Sequence, residues 1–324
     1  MPIVTSPTAG DVHVNTPLTN FAQKYLQSQD MFIGGRAMPN HPVAKQSDLY
    51  YTFSRADFFR DEAQERADGS ESAGSGFTLS TDPYFARVYA FHKDVTDRQR
   101  ANQDSVIRLD NSATQFVTQK LLIRRDVLFQ TEFFATTIWA DDVTPGTLWD
   151  AAGGTPIEDV RLGIRTVHSG TGMRPNKMII GRTAWDSLLD SDDILSRITG
   201  GSTAGMPAKV QRELVASLFE IDQIFIWDGV VNSAQQGATE STGFIGTSND
   251  CLIYYAPDSL GVDEPTAGTM FSWTGFMGAT ENGMRIKRFR EERLESDRIE
   301  GQMAFDFKVV ASELGYFLSG VSAA

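Results

Sequence analysis

Sixteen consecutive residues, Arg60-Asp-Glu-Ala-Gln-Glu-Arg-Ala-Asp-Gly-Ser-Glu-Ser-Ala-Gly-Ser75, offer almost nothing that a core could bury. Leu49–Phe53 and Gly76–Ser80 flank this stretch and read as strands, being rich in aromatic and β-branched residues. The pattern predicts a long two-stranded excursion over residues 46–92. An isolated hairpin is marginal in water, because two strands cannot shield each other's faces. Its charged, flexible middle keeps it out of a core. The expectation is that a partner surface covers it.

The segment before it is equally poor in core. Pro2, Pro7, Pro17, Pro39 and Pro42 punctuate residues 1–45, with Gly34-Gly35 between them and one short amphipathic piece from Leu18 to Gln27. Two readings follow, a flexible tail or an arm that orders against a neighbouring subunit. The N-terminus has no basic segment followed by an apolar one, so no signal peptide is expected. No apolar run approaches the roughly 20 residues of a membrane span.

Residues 94–108 are polar with helical character. The strongest helix pattern runs from Asp110 to Phe134, where Ala113, Phe116, Val117, Leu121, Ile123, Val127, Leu128 and Phe134 recur at mostly three- and four-residue steps. Ser112-Ala-Thr-Gln115 has the spacing of a capping box. Arg124 and Arg125 interrupt one side. The helix would run roughly 35 Å. Residues 139–165 form a junction, with Pro156 suited to a helix's first turn.

From 175 to 260 strands and helices alternate. Lys177–Ile180, Glu220–Trp227 and Asp250–Tyr255 read as strands, Thr183–Leu189 as a helix, and Pro207 opens another helix through Phe219. Gly200–Gly205 and Gln235–Gly246 read as flexible loops. Residues 267–320 read as antiparallel β, with strands at Met270–Trp273, Met284–Arg290 and Met303–Ala311 and a turn over Glu291–Gly301.

Several stretches, taken in order, resemble the major capsid proteins of tailed bacteriophages, the Hong Kong 97-like fold family. They are Trp149 followed by Thr155-Pro-Ile-Glu-Asp159, Arg174 to Leu189, Asp193 to Ile198, Leu214 to Ile221, Ile224 to Ala234, and Val309 to Leu318. The resemblance is strongest over residues 139–320; the first third matches only in having arm, loop and helix in sequence. It implies an α+β class with five parts: an N-terminal arm at 1–45, an extended β-hairpin loop at 46–92, a peripheral domain with a long spine helix at 93–138, an axial domain of mixed α/β at 139–280, and peripheral-domain strands at 281–324. It implies a subunit that self-assembles as pentamers and hexamers into an icosahedral shell around double-stranded DNA, made in the host bacterial cytoplasm and ending in the virion. The implied partners are further copies of itself, a separate scaffolding protein, a portal protein and a decoration protein. A nanocompartment shell of the encapsulin kind and a soluble α/β enzyme are the alternatives.

Chemistry-bearing motifs are scarce. His13, His41, His92 and His168 have no metal-ligand spacing. Gly170-Thr-Gly172 meets Pro175 where a dinucleotide turn needs glycine, and Gly201–Gly205 has Thr203 where a nucleophile elbow needs serine. The pairs Asp141-Asp142, Asp192-Asp193 and Glu291-Glu292 are what 42 acids produce by chance. No catalytic residue, cofactor or metal is therefore assigned. The lone Cys251, between apolar neighbours, reads as a buried small hydrophobe. A net charge of −13 disfavours nucleic-acid adhesion, so a shell of such chains would enclose DNA without sequence-specific binding. The local exception is Arg285, Lys287, Arg288 and Arg290, for which two readings stand, contact with DNA and, preferred, a bridge to the acidic Arg60–Glu71 loop of another subunit. The candidate intersubunit contacts are Arg55, Arg60, Glu62, Glu65, Arg66, Arg285, Arg288 and Arg290.

Overall fold

The computed structural model describes residues 26–102, 108–198, 212–261, 263–277 and 284–323. The strands are β1 Asn40–Val43, β2 Ser47–Phe53, β3 Leu79–Phe85, β4 Arg87–Thr96, β5 Asp141–Val143, β6 Lys177–Gly181, β7 Gln223–Trp227, β8 Val230–Asn232, β9 Thr242–Phe244, β10 Cys251–Tyr254, β11 Gly268–Trp273, β12 Met284–Glu291, β13 Ser296–Val309 and β14 Gly315–Leu318. The helices are α1 Arg55–Phe58, α2 Asp97–Ala101, α3 Leu109–Phe133, α4 Pro156–Thr171, α5 Arg182–Asp190, α6 Asp192–Ile198, α7 Arg212–Phe219 and α8 Thr274–Met277. A first sheet has the order β1-β11-β13-β12, with β4 also on β13; a second has the order β5-β14-β10-β6-β7. β2–β3 and β8–β9 are separate hairpins.

The apolar periodicity places α3 against the first sheet. Val117 and Leu121 press on Gly301 of β13, where a Cβ would lie 2.6 Å from either side chain, so only glycine lets helix and strand approach this closely. Farther along, Phe129 and Phe133 pack on Phe307, both at ring separations of 5.5 Å. Phe134, just past the helix end, meets Trp227 of β7 and Phe317 of β14. One continuous core therefore joins the two sheets through the C-terminal end of α3. In the second sheet β6 is buried at every position, and α4 lays Ile157, Val160, Ile164 and Val167 inward. Pro156 does open α4.

Several expectations need correction. Residues 32–43 are not a coreless arm. Phe32, Ile33, Ala37 and Met38 are buried, and β1 pairs in parallel with β11. Long-range packing supplied what proline-rich local sequence did not suggest. Arg125, on the interrupted side of the helix, is only 5% exposed, because the strap 26–38 crosses over it. The capping box at Ser112 does not form: α3 begins after Arg108, and the Ser112 hydroxyl donates to the Arg108 carbonyl from within the helix. Thr96 and Gln99 form a capping box instead, at α2.

The loop boundary at 92 falls inside β4, which β13 pairs from Arg87 to Thr96. The expected turn over 291–301 is a 3-10 turn at Glu292–Leu294, and Ser296 already starts β13. Gln235–Gly246 contains β9, paired with β8. β11 lies within the proposed axial stretch 139–280 yet pairs in the first sheet, and β14 lies within the proposed peripheral stretch 281–324 yet pairs in the second. Most of the Leu18–Gln27 piece, the Gly200–Gly205 loop and the Pro207 helix start lie outside the described residues.

Candidate assembly surface

β2 and β3 form the expected hairpin, in antiparallel register from Ser47↔Phe85 to Phe53↔Leu79. Its root is fixed. Tyr84 stacks on Phe271 of β11 at 4.5 Å, and Tyr50 leans on the same ring. These rings and Val43 make a small cluster separate from the main core. The Phe85 amide also donates to Asp306 of β13.

Beyond the root the hairpin is bare. Leu49, Tyr51, Phe53, Phe58, Phe59, Phe77, Leu79 and Phe85 are all exposed, Tyr51 by 67% and Phe77 by 62%. Phe53, Phe58 and Phe77 gather into one cluster, with ring centroids 5.7 to 6.0 Å apart. Asp57 holds the cluster in shape by accepting the Thr78 amide at 2.8 Å, and that bond keeps its carboxyl below the usual carboxylate range. These aromatics were not singled out from sequence. The available signal was three phenylalanines flanking a loop that no core could accept.

The charged candidates fall into three groups. Arg60 pairs with Asp57 and Glu62 inside the hairpin, and Arg66 donates to the Ser70 carbonyl. Glu65 is exposed, and Arg55 reaches toward Gly170 at the end of α4. Arg285 donates to Gln302 and to the Phe276 carbonyl and lies over the Phe276 ring. Arg288 and Arg290 join a network with Arg100, Asp97, Asp110 and Asp297. Hydrogen bonds from Arg288 and then Arg100 hold the Asp297 carboxyl down at about 2. Two hydrogen bonds to Asp97 push the Arg290 guanidinium up. The expected bridge from these arginines to another subunit's loop thus meets acids already supplied by β13, α2 and α3. Among the described residues no ion pair links this network to the hairpin.

Other chemistry is sparse. Cys251 is buried, and desolvation pushes its thiol far above the ordinary value. Among the described residues no group of three or more acidic, histidine or cysteine side chains could hold a metal, and no helix is long and apolar enough to cross a membrane. An open cleft of about 850 Å³ lies beside α5, lined mostly by aspartates and small residues.

Known proteins give this geometry a context. The sequence model described as phage major capsid protein E matches residues 108–261. The major capsid protein of Burkholderia phage BcepMu is 21% identical over 95% of this chain and 97% of its own length. Among solved structures, a phage-related protein of Bordetella bronchiseptica RB50 matches with TM-score 0.67 and 18% identity, over 91% of this chain and 94% of that one. The capsid of cyanophage P-SCSP1u matches with TM-score 0.62 and 11% identity, over 94% and 91%. An encapsulin of Synechococcus elongatus PCC 7942 shares the fold at TM-score 0.55 and 12% identity, over 96% and 95%.

A long helix laid on one sheet and continuous through its end with a second gives this chain the Hong Kong 97-like fold. Fold alone does not separate phage shells from encapsulins. The sequence matches both point to phage major capsid proteins.

Proposed function

We propose that copies of this chain assemble as pentamers and hexamers into an icosahedral shell enclosing double-stranded DNA, with the β2–β3 hairpin of each copy lying across a neighbour. The hairpin carries this reading. It is firmly rooted, and its exposed aromatics have no cover among the described residues. Burying a phenylalanine contributes about 1.5–3 kcal/mol, so covering Phe53, Phe58 and Phe77 supplies several kcal/mol per contact. In this reading α3 and the first sheet form the peripheral domain, and the second sheet lies near the rotation axes. Of the charged hairpin residues, Arg55 and Glu65 are the better placed for bridges between copies, since Arg60, Glu62 and Arg66 are engaged within the loop.

The shell is assembled in the host cytoplasm on a separate scaffolding protein, takes a portal at one vertex and has joints that a decoration protein can cover. It is a structural protein and not an enzyme. Its charge of −13 suits a wall that DNA slides past.

Electron microscopy of the chain expressed with its scaffold tests the proposal. Wild type should give closed particles. The Phe58→Ser, Phe77→Ser double variant should melt at the wild-type temperature and give none. A wild-type chain that stays monomeric beside its scaffold rejects the reading. The encapsulin-like fold match supports a second reading, a nanocompartment; protein cargo without nucleic acid in purified native particles would select it.

A further inference from the structure

Two surfaces around the second sheet have no complementary partner among the described residues. On α4 the inward side holds Ile157, Val160, Ile164 and Val167. The opposite side shows Arg161, Leu162, Arg165 and His168, which share a stripe because residues three, four and seven apart stack on one helix face. Neither Arg161 nor Arg165 has an ion pair among the described residues, whereas Arg100, Arg182, Arg288, Arg290 and Arg298 are all paired. Leu162 is 47% exposed between them. Glu158 is the acid on this side, one turn before Arg161 and two turns before Arg165, so the stripe grows more basic toward the helix end.

The second surface is the cleft beside α5. Asp150, Asp186, Asp190 and Asp192 line it, and Phe244 gives it an exposed apolar wall. Arg182 is its basic group and is already held by Asp186 and Asp228. Thus a basic helix face with one bare leucine and an acidic cleft with one bare aromatic ring occur on the same chain without sharing a residue.

We propose that the outer face of α4 in one copy docks into the α5 cleft of the next copy, Arg161 and Arg165 meeting the aspartates and Leu162 meeting Phe244. This rests on the shell reading above and deepens it. The occupant is a second copy because each chain carries both halves. Because the halves differ, the contact is head-to-tail, and such contacts close into rings when the rotation per step permits. Its ionic part selects partner and register and weakens with salt.

Cross-linking tests it. Arg165→Cys and Asp190→Cys are introduced together in the full chain and the assembled particles are treated with a short bismaleimide; the buried Cys251 does not compete. The expected result is a ladder of covalent oligomers up to complete rings, with only monomer from either single variant. Particles that yield only monomer or only dimer overturn the contact. A second measurement guards against misfolding. Arg161→Glu with Arg165→Glu should lower ring yield about tenfold through like-charge repulsion, and adding Asp190→Arg with Asp192→Arg should restore it. Unchanged yield in the first, or no restoration in the second, also overturns the contact. Wild type that forms no particles rejects the shell reading itself, whereas particles without cross-links reject only this contact.

Discussion

Asp126 is completely buried, and its two oxygens accept the backbone amides of Ile33 and Gly34 at 3.0 Å each. It is the pin that fastens the strap to α3. Beside it, Arg125 lies under Gly35, and its Nε and Nη1 lack hydrogen-bond partners among the described residues. Burial pushes the Asp126 carboxyl up to about 6, outweighing the two amides and Arg125 that pull it down. A carboxyl raised in the folded state favours folding below its unfolded value of 3.8 and loses that contribution as pH rises through about 6. The span corresponds to roughly 3 kcal/mol at most. Compared with Asp126→Asn, wild type should therefore lose melting temperature between pH 4 and pH 7; parallel curves would remove the pin's charge from the account. A second prediction concerns Gly315. A Cβ there would lie 2.1 Å from the Trp139 ring, which its own N–H to the Phe133 carbonyl holds in place. Gly315→Ala should cost about 2–3 kcal/mol in urea unfolding, while Gly74→Ala, with nothing within 4 Å, should change little. Cys251 shows what a sequence does disclose at this scale, since apolar neighbours were enough to mark it as buried. Arg125 shows what it conceals: a charged residue at the helix position nearest the strap looks like solvent-facing charge until the strap is in place.

At the scale of elements, periodicity proved a sound guide where packing partners were numerous. The helix expected over Asp110–Phe134 is α3 at Leu109–Phe133, because two faces of apolar residues meet a sheet. Its cap was misjudged for a physical reason. The N-terminus is held by ion pairs from other elements, with Asp110 in the first turn taking Arg100 and Arg288, and not by a local hydroxyl cap. β4 and the first half of β13 were missed because their residues, such as Arg87, Lys93, Asp297 and Arg298, are polar. Pairing with each other over ten positions makes them strands. The hairpin was legible as a hairpin because its loop could not be anything else, but its second strand starts at Leu79, since register is set by the partner strand and the root at Tyr84. The ion network gives this scale its prediction. Arg288→Glu with Arg290→Glu sets like charges against Asp97, Asp110 and Asp297, so the isolated subunit should melt at a lower temperature in dilute salt. Molar salt should narrow the difference, because the groups are partly exposed and screened. An unchanged melting temperature at low salt, with assembly alone impaired, would return these arginines to the intersubunit role first expected of them.

For the whole molecule, the decisive contrast lies within the first ninety residues, which the sequence alone presents as one loosely held region. Those among them that the structure describes divide into two regimes. The strap at 26–38 is bound on several sides: Gln27 hydrogen-bonds Gln119 of α3 and both backbone groups of Val230, Asp126 takes two amides, and the Tyr254 hydroxyl donates to the Ala37 carbonyl. Among the described residues, the hairpin leading to Tyr84 is held by its root, by its own ladder and by the approach of Arg55 and Phe59 to the end of α4. Sequence could not separate them, since both are short of local apolar pattern and only the strap finds long-range partners. The dependence on neighbours therefore belongs to the hairpin and not to the strap, and amide hydrogen exchange can tell them apart. In the unassembled subunit, amides of Phe32–Met38 should exchange slowly and those of 49–80 quickly, because a two-stranded ladder open to water unfolds locally at little cost. On assembly the hairpin amides should slow by at least about tenfold while the strap amides keep their rates, since burying the aromatic cluster under a neighbour stabilises the ladder by more than the roughly 1.4 kcal/mol that tenfold requires. Hairpin amides that exchange at the same rate in subunit and particle would mean that no neighbour covers them. Strap amides that slow in step with the hairpin would mean that the strap, too, is completed by another copy.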